Sequence, residues 1–79
     1  MQEQKIKNDD LIHIGKNIRE IRKREYIGQT ELVTKLQLRG INMTRETLVK
    51  IECGIQHIQA SQLRGIRDIL QTTYDELLK

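Results

Sequence analysis

The sequence predicts a small all-helical domain, and three observations carry that prediction. The apolar residues, 37% of a 79-residue chain, are almost all aliphatic: Tyr26 and Tyr74 are the only aromatics, and Phe, Trp and Pro are absent. Sandwiches and barrels draw instead on aromatic, β-branched strands and turn-rich connections. Apolar positions recur at helical spacing, as in Ile14, Ile18 and Ile21. Between these runs stand Gly, Ser, Thr and Asp, the residues that start and stop helices. At 9.3 kDa the chain has room for one domain, near the lower limit of what folds unaided.

Residues 1–8 are polar apart from Ile6 and show no period, which predicts a flexible N-terminal arm before a domain spanning 9–79. Asp9 and Asp10 are expected N-caps of a first helix running to about Arg24, after which Gly28 breaks the chain. A second helix opens at Gln29, places Leu32, Val33 and Leu36 on one face, and ends at Gly40 as the left-handed residue past the C-cap. Ile41 then folds back onto Leu36. Thr44 is the best-marked N-cap, with Met43 and Leu48 at the two positions of a hydrophobic staple. The third helix runs from Arg45 to Cys53 and stops at Gly54, with Ile55 and Ile58 expected to anchor the loop beyond it. Ser61 is the expected cap of a fourth helix carrying Leu63, Ile66, Ile69 and Leu70. Thr73-Tyr74-Asp75-Glu76 has the capping-box pattern and opens a short fifth helix with Leu77 and Leu78.

The net charge of +3 is unevenly spread: residues 16–50 carry nine Lys/Arg against four Asp/Glu, while both flanks are slightly acidic. A basic middle of this kind points to one anion-facing surface. On a helical wheel over residues 44–55, Thr44, Leu48, Ile51 and Ile55 share the side that must face the core. Glu46, Val49, Lys50 and Cys53 lie opposite, with Arg45 at the flank. Arg and Lys donate to guanine O6 and N7, a carboxylate accepts from cytosine N4, and an apolar methyl meets that of thymine. On the wheel alone, an ordinary solvated helix face accounts for these residues as well.

Ile18-Arg19-Glu20-Ile21-Arg22, Gln29-Thr30-Glu31-Leu32-Val33 and the run from Thr44 to Gly54, followed by the alternating apolar tail from Leu63 to Leu78, together resemble the lambda-repressor-like, or Xre-type, helix-turn-helix family. The resemblance covers residues 14–78. It implies a compact five-helix fold in which helices two and three form the helix-turn-helix. It also implies DNA-binding roles for Gln29 and Thr30 at the start of helix two, and for Thr44, Arg45, Glu46, Val49 and Lys50 on helix three. Arg22 and Glu52 match a family pair that forms a largely buried ion pair. Tyr74, Leu77 and Leu78 fall where family members pair as dimers, although packing into their own core is an equal alternative. The chain departs from the family between Leu36 and Thr44, where the connection is longer than the usual tight turn. The added residues read as an extra turn of helix two ending at Gly40, which would bring Arg39 to the DNA backbone as a phosphate contact.

Other chemistry finds little support in the sequence. The single Cys53 excludes an internal disulfide, and His13 and His57 show no metal-chelating spacing. No carboxylate pair, nucleophile–histidine arrangement or Gly-rich phosphate loop occurs at usable spacing, so neither an enzyme nor a cofactor is expected. Two tyrosines cannot build a stacking platform for single strands. No apolar run approaches the ~18 residues of a membrane span. The expected protein is a cytoplasmic, sequence-specific, double-stranded-DNA-binding transcriptional regulator, a repressor in its simplest form, acting as a homodimer on a palindromic site. The alternatives are a protein-interaction module of the same fold, such as an antitoxin or adaptor, and the DNA-binding head of a longer regulator.

Overall fold

The computed structural model describes residues 8–79. Among them are five helices and no strand: α1 (Asn8–Arg24), α2 (Gln29–Leu38), α3 (Arg45–Glu52), α4 (Ala60–Leu70) and α5 (Tyr74–Leu78). None is long and apolar enough to cross a membrane. Asp9 and Asp10 lie inside α1 and do not cap it, and the arm expected over 1–8 falls, apart from helical Asn8, outside the described residues.

Ile14, Ile18 and Ile21 of α1 are buried together with Leu32, Val33 and Leu36 of α2, Leu48 and Ile51 of α3, Ile66 and Leu70 of α4, and Leu77 of α5. Each helix turns one aliphatic stripe inward, so the helices enclose a single core. α1 packs against α3 and α5, while α2 packs against α3 and α4. The contact between α1 and α3 depends on Gly15. A Cβ there would overlap the Ile51 carbonyl oxygen and lie 2.9 Å from that of Glu52. Asn17, buried two residues further on, donates its side-chain amide to the Leu77 and Lys79 carbonyls at 3.0 and 2.9 Å and so ties α5 to α1. Leu77 is fully buried in the chain's own core.

The helix ends separate local signals from tertiary ones. α1 ends at Arg24, as expected, and Gly28, with ordinary φ −75°, precedes α2. The reversal is made by Tyr26 at φ +58°, with its N–H donating to Lys23 O and that of Ile27 to Arg22 O, both at 3.0 Å. This is the paired-bond C-terminal motif that glycine ordinarily closes. The same motif ends α2 as expected: Gly40 has φ +77° and Ile41 N–H reaches back to Leu36 O at 3.0 Å. Past it, the long connection differs from a simple extra turn. Helix continues only through Leu38, and Ile41–Met43 has no regular secondary structure. Gln37 Nε2 holds Met43 O at 2.9 Å, and Gln62 Nε2 holds Asn42 O at 3.0 Å. Met43 is buried, and Ile41 lies with Leu36 over Gly65, where a side chain would collide with both.

Thr44 caps α3 through Thr47 N–H at 3.1 Å, as its position predicts. Thr44 itself is exposed, however, and Ile55 is 73% exposed, so the wheel misplaced both ends of its core side. The helix stops at Gly54 (φ +78°), and the following residue is thrown outward while Ile58 is buried. Gln59, not Ser61, precedes α4, with its N–H bonded to Gln62 Oε1 at 2.9 Å. Thr73 caps α5 through Glu76 N–H at 3.2 Å.

Candidate functional site

The geometry is built around Glu52 at the end of α3. Its Oε2 accepts from Arg22 Nε at 2.8 Å, and its Oε1 accepts from Arg22 Nη2 at 3.0 Å and Gln29 Nε2 at 3.1 Å. Arg22 Nη1 also donates to Ile27 O at 3.0 Å. The Arg22 and Glu52 side chains are only 9% and 4% exposed, so this two-pronged charge pair sits inside the fold. It ties the last turn of α1, the α1–α2 connection, the first turn of α2 and the end of α3 to one another. The orientation of α3 relative to the start of α2 is therefore fixed by side chains, over and above the packing of Leu48 and Ile51.

With its back face buried, α3 turns Arg45, Glu46, Val49 and Lys50 outward, and these four line one shallow depression of about 370 Å³. Among the described residues, none of the three charged members makes an ion pair within the chain. Other cations are engaged. Arg24 lies 3.1 Å from Glu76, and Arg67 lies 2.9 Å from Asp68. Hydrogen bonding to those carboxylates, reinforced by their charge, raises both guanidinium groups above their ordinary value. Arg45 and Lys50 are thus presented on a helix anchored by the Glu52 network, with no carboxylate partner among the described residues.

The remaining expected site residues divide. Thr30 is exposed on the first turn of α2. Gln29 beside it is half-buried and its amide is held by Glu52, so it supports the site from within. Thr44 Oγ1 both accepts from Thr47 N–H and donates to Thr47 Oγ1 at 3.0 Å, which engages the hydroxyl in the cap. Arg39 does not join the α3 group: it leans 3.7 Å from Asp68 of α4 and lines a separate groove with Lys35, Leu38 and Ile69. Of the candidate seam residues, Leu78 is 52% exposed, while Tyr74 has Arg67 stacked 4.5 Å from its ring centre. Cys53 is exposed at the end of α3.

Sequence reasoning missed Gly15 and Asn17, which set α3 and α5 against α1. A glycine inside an otherwise aliphatic helical run was the available signal for the first, since helix interiors disfavour it unless another backbone comes close. No protein-family model matches the sequence, and no curated protein or solved structure matches it either.

Proposed function

We propose that this chain is a sequence-specific double-stranded-DNA-binding regulator, most simply a transcriptional repressor, in which α2 and α3 act as a lambda-repressor-like helix-turn-helix. α3 enters the major groove with Arg45, Glu46, Val49 and Lys50 toward the base edges, and α2 crosses the backbone with Thr30 toward it. The observation that carries the reading is the outward face of α3: two cations, a carboxylate and a small aliphatic, without partners among the described residues, on a helix locked by the Arg22–Glu52–Gln29 network. Those groups match the donor, acceptor and methyl pattern of base edges. The reading involves no catalytic step and no cofactor, and it places the protein with DNA in the cytoplasm.

Selection from a random duplex library at fixed, near-physiological salt tests this, because phosphate attraction at low salt imitates specific binding. An enriched site is expected, and a palindrome would report use as a homodimer. In that site Arg45→Ala should lower discrimination at particular base pairs by roughly 1–3 kcal/mol. Equal weakening on every sequence would remove α3 from the groove. Absence of enrichment, with a partner protein copurifying in fixed stoichiometry, would replace the reading with a protein-interaction module.

A further inference from the structure

Tyr26 combines two properties that the fold does not explain. Its backbone is in the left-handed region at φ +58°, which disfavours any residue with a Cβ and which glycine adopts freely. Its side chain is 94% exposed, so no packing within the chain offsets that disadvantage. The two hydrogen bonds that close the α1 terminus involve only main-chain groups of Lys23, Tyr26, Arg22 and Ile27, and a glycine would make them equally well. Gln71 is the other non-glycine residue with positive φ among those described, but it is polar, and an exposed polar side chain needs no partner. An exposed aromatic where glycine would serve the backbone better has no role that the fold explains.

The helix-turn-helix reading offers Tyr26 a partner. The tyrosine stands at the α1–α2 corner, three residues before Gln29 opens α2. Lys23, one turn earlier, is exposed and makes no ion pair among the described residues, while the neighbouring carboxylate, Glu25, faces Arg24 at 3.6 Å. We infer that the Tyr26 hydroxyl donates a hydrogen bond to a phosphate oxygen of the duplex backbone where α2 crosses it. This rests on the helix-turn-helix reading above, and adds to it a contact that trades fold stability for DNA affinity. A phenol is suited to the role because it reaches further than Thr30 and donates without a second charge.

The test compares the full chain with Tyr26→Gly and Tyr26→Phe, using the duplex recovered by selection and an unrelated duplex of equal length at the same salt. Tyr26→Gly should melt higher by about 4 °C while binding both duplexes about five-fold more weakly. Tyr26→Phe keeps the backbone and the ring, so it should melt like the parent and bind as weakly as the glycine variant. Parental affinity in either variant overturns the inference and leaves the DNA-binding reading standing. If the parent chain recovers no duplex, both fall together. Because the glycine variant is expected to be the more stable protein, a loss of binding cannot be attributed to unfolding.

Discussion

Glu52 receives hydrogen bonds from both prongs of Arg22 and from Gln29, in a site almost closed to water. Removing two charges from solvent offsets most of their mutual attraction, so the pair orients helices more than it stabilises them. Deleting one partner is a different matter. Glu52→Ala leaves Arg22 buried with only the Ile27 carbonyl as acceptor and should cost roughly 3–5 kcal/mol, a large part of the ~4–12 kcal/mol available to a domain this size. Replacing both together, Arg22→Met with Glu52→Leu, should restore most of that loss, because no charge is then stranded. Thermal unfolding of the single and double variants checks the pair, and a double variant no more stable than Glu52→Ala would refute the desolvation argument. The pairing of Arg22 with Glu52 was legible in the sequence only through resemblance. That Gln29 joins it was not legible, since a side-chain amide at the start of a helix has the same local signature whether it turns inward or outward.

At the level of elements, what could be read in advance was what neighbours along the chain decide. Gly40 and Thr44 bracket the connection from α2 to α3 where the sequence placed them, because a left-handed turn and a hydroxyl cap are satisfied within a few residues. The end of α1 near Arg24 was legible in the same way, although the reversal falls on Tyr26 and not on Gly28. The start of α4 was misread: Ser61 is a good local candidate, but Gln59 precedes the helix at Ala60. The path of the Ile41–Met43 segment was equally hidden, because Gln37, Gln62 and Gly65 hold it in place from other elements. Its anchoring presents α3 from a fixed base, and Thr44 is the joint between the two. Thr44→Ala should lower stability by about 1 kcal/mol, whereas Thr44→Asn supplies an equivalent cap and should be close to neutral. Since the Thr44 hydroxyl is engaged by Thr47, Thr44→Asn should also leave duplex preference unchanged. A changed preference in repeated library selection would return Thr44 to the set of base readers.

On the DNA-binding reading proposed above, a molecule of 34 × 24 × 22 Å must draw its affinity for one site from few contacts. A single short helix reads few base pairs, and the cations free to meet phosphate are limited, because Arg24, Arg39 and Arg67 are already drawn to carboxylates. Two copies relieve that limit. Successive major grooves on one face of B-DNA lie about 34 Å apart, so two molecules of these dimensions can sit side by side with an α3 in each. The sequence offered Tyr74, Leu77 and Leu78 as the meeting surface, and burial of Leu77 and the stacking of Arg67 on Tyr74 leave Leu78 as its most available apolar member. Leu78→Asp changes a side chain that is 52% exposed, so the fold should survive it. If α5 forms the seam, a carboxylate facing its own symmetry mate is repelled, and cooperative binding to the palindrome should be lost while binding to an isolated half-site persists. Binding isotherms on the two duplexes, with the solution mass of parent and variant, decide it: parental cooperativity in Leu78→Asp would move the seam away from α5.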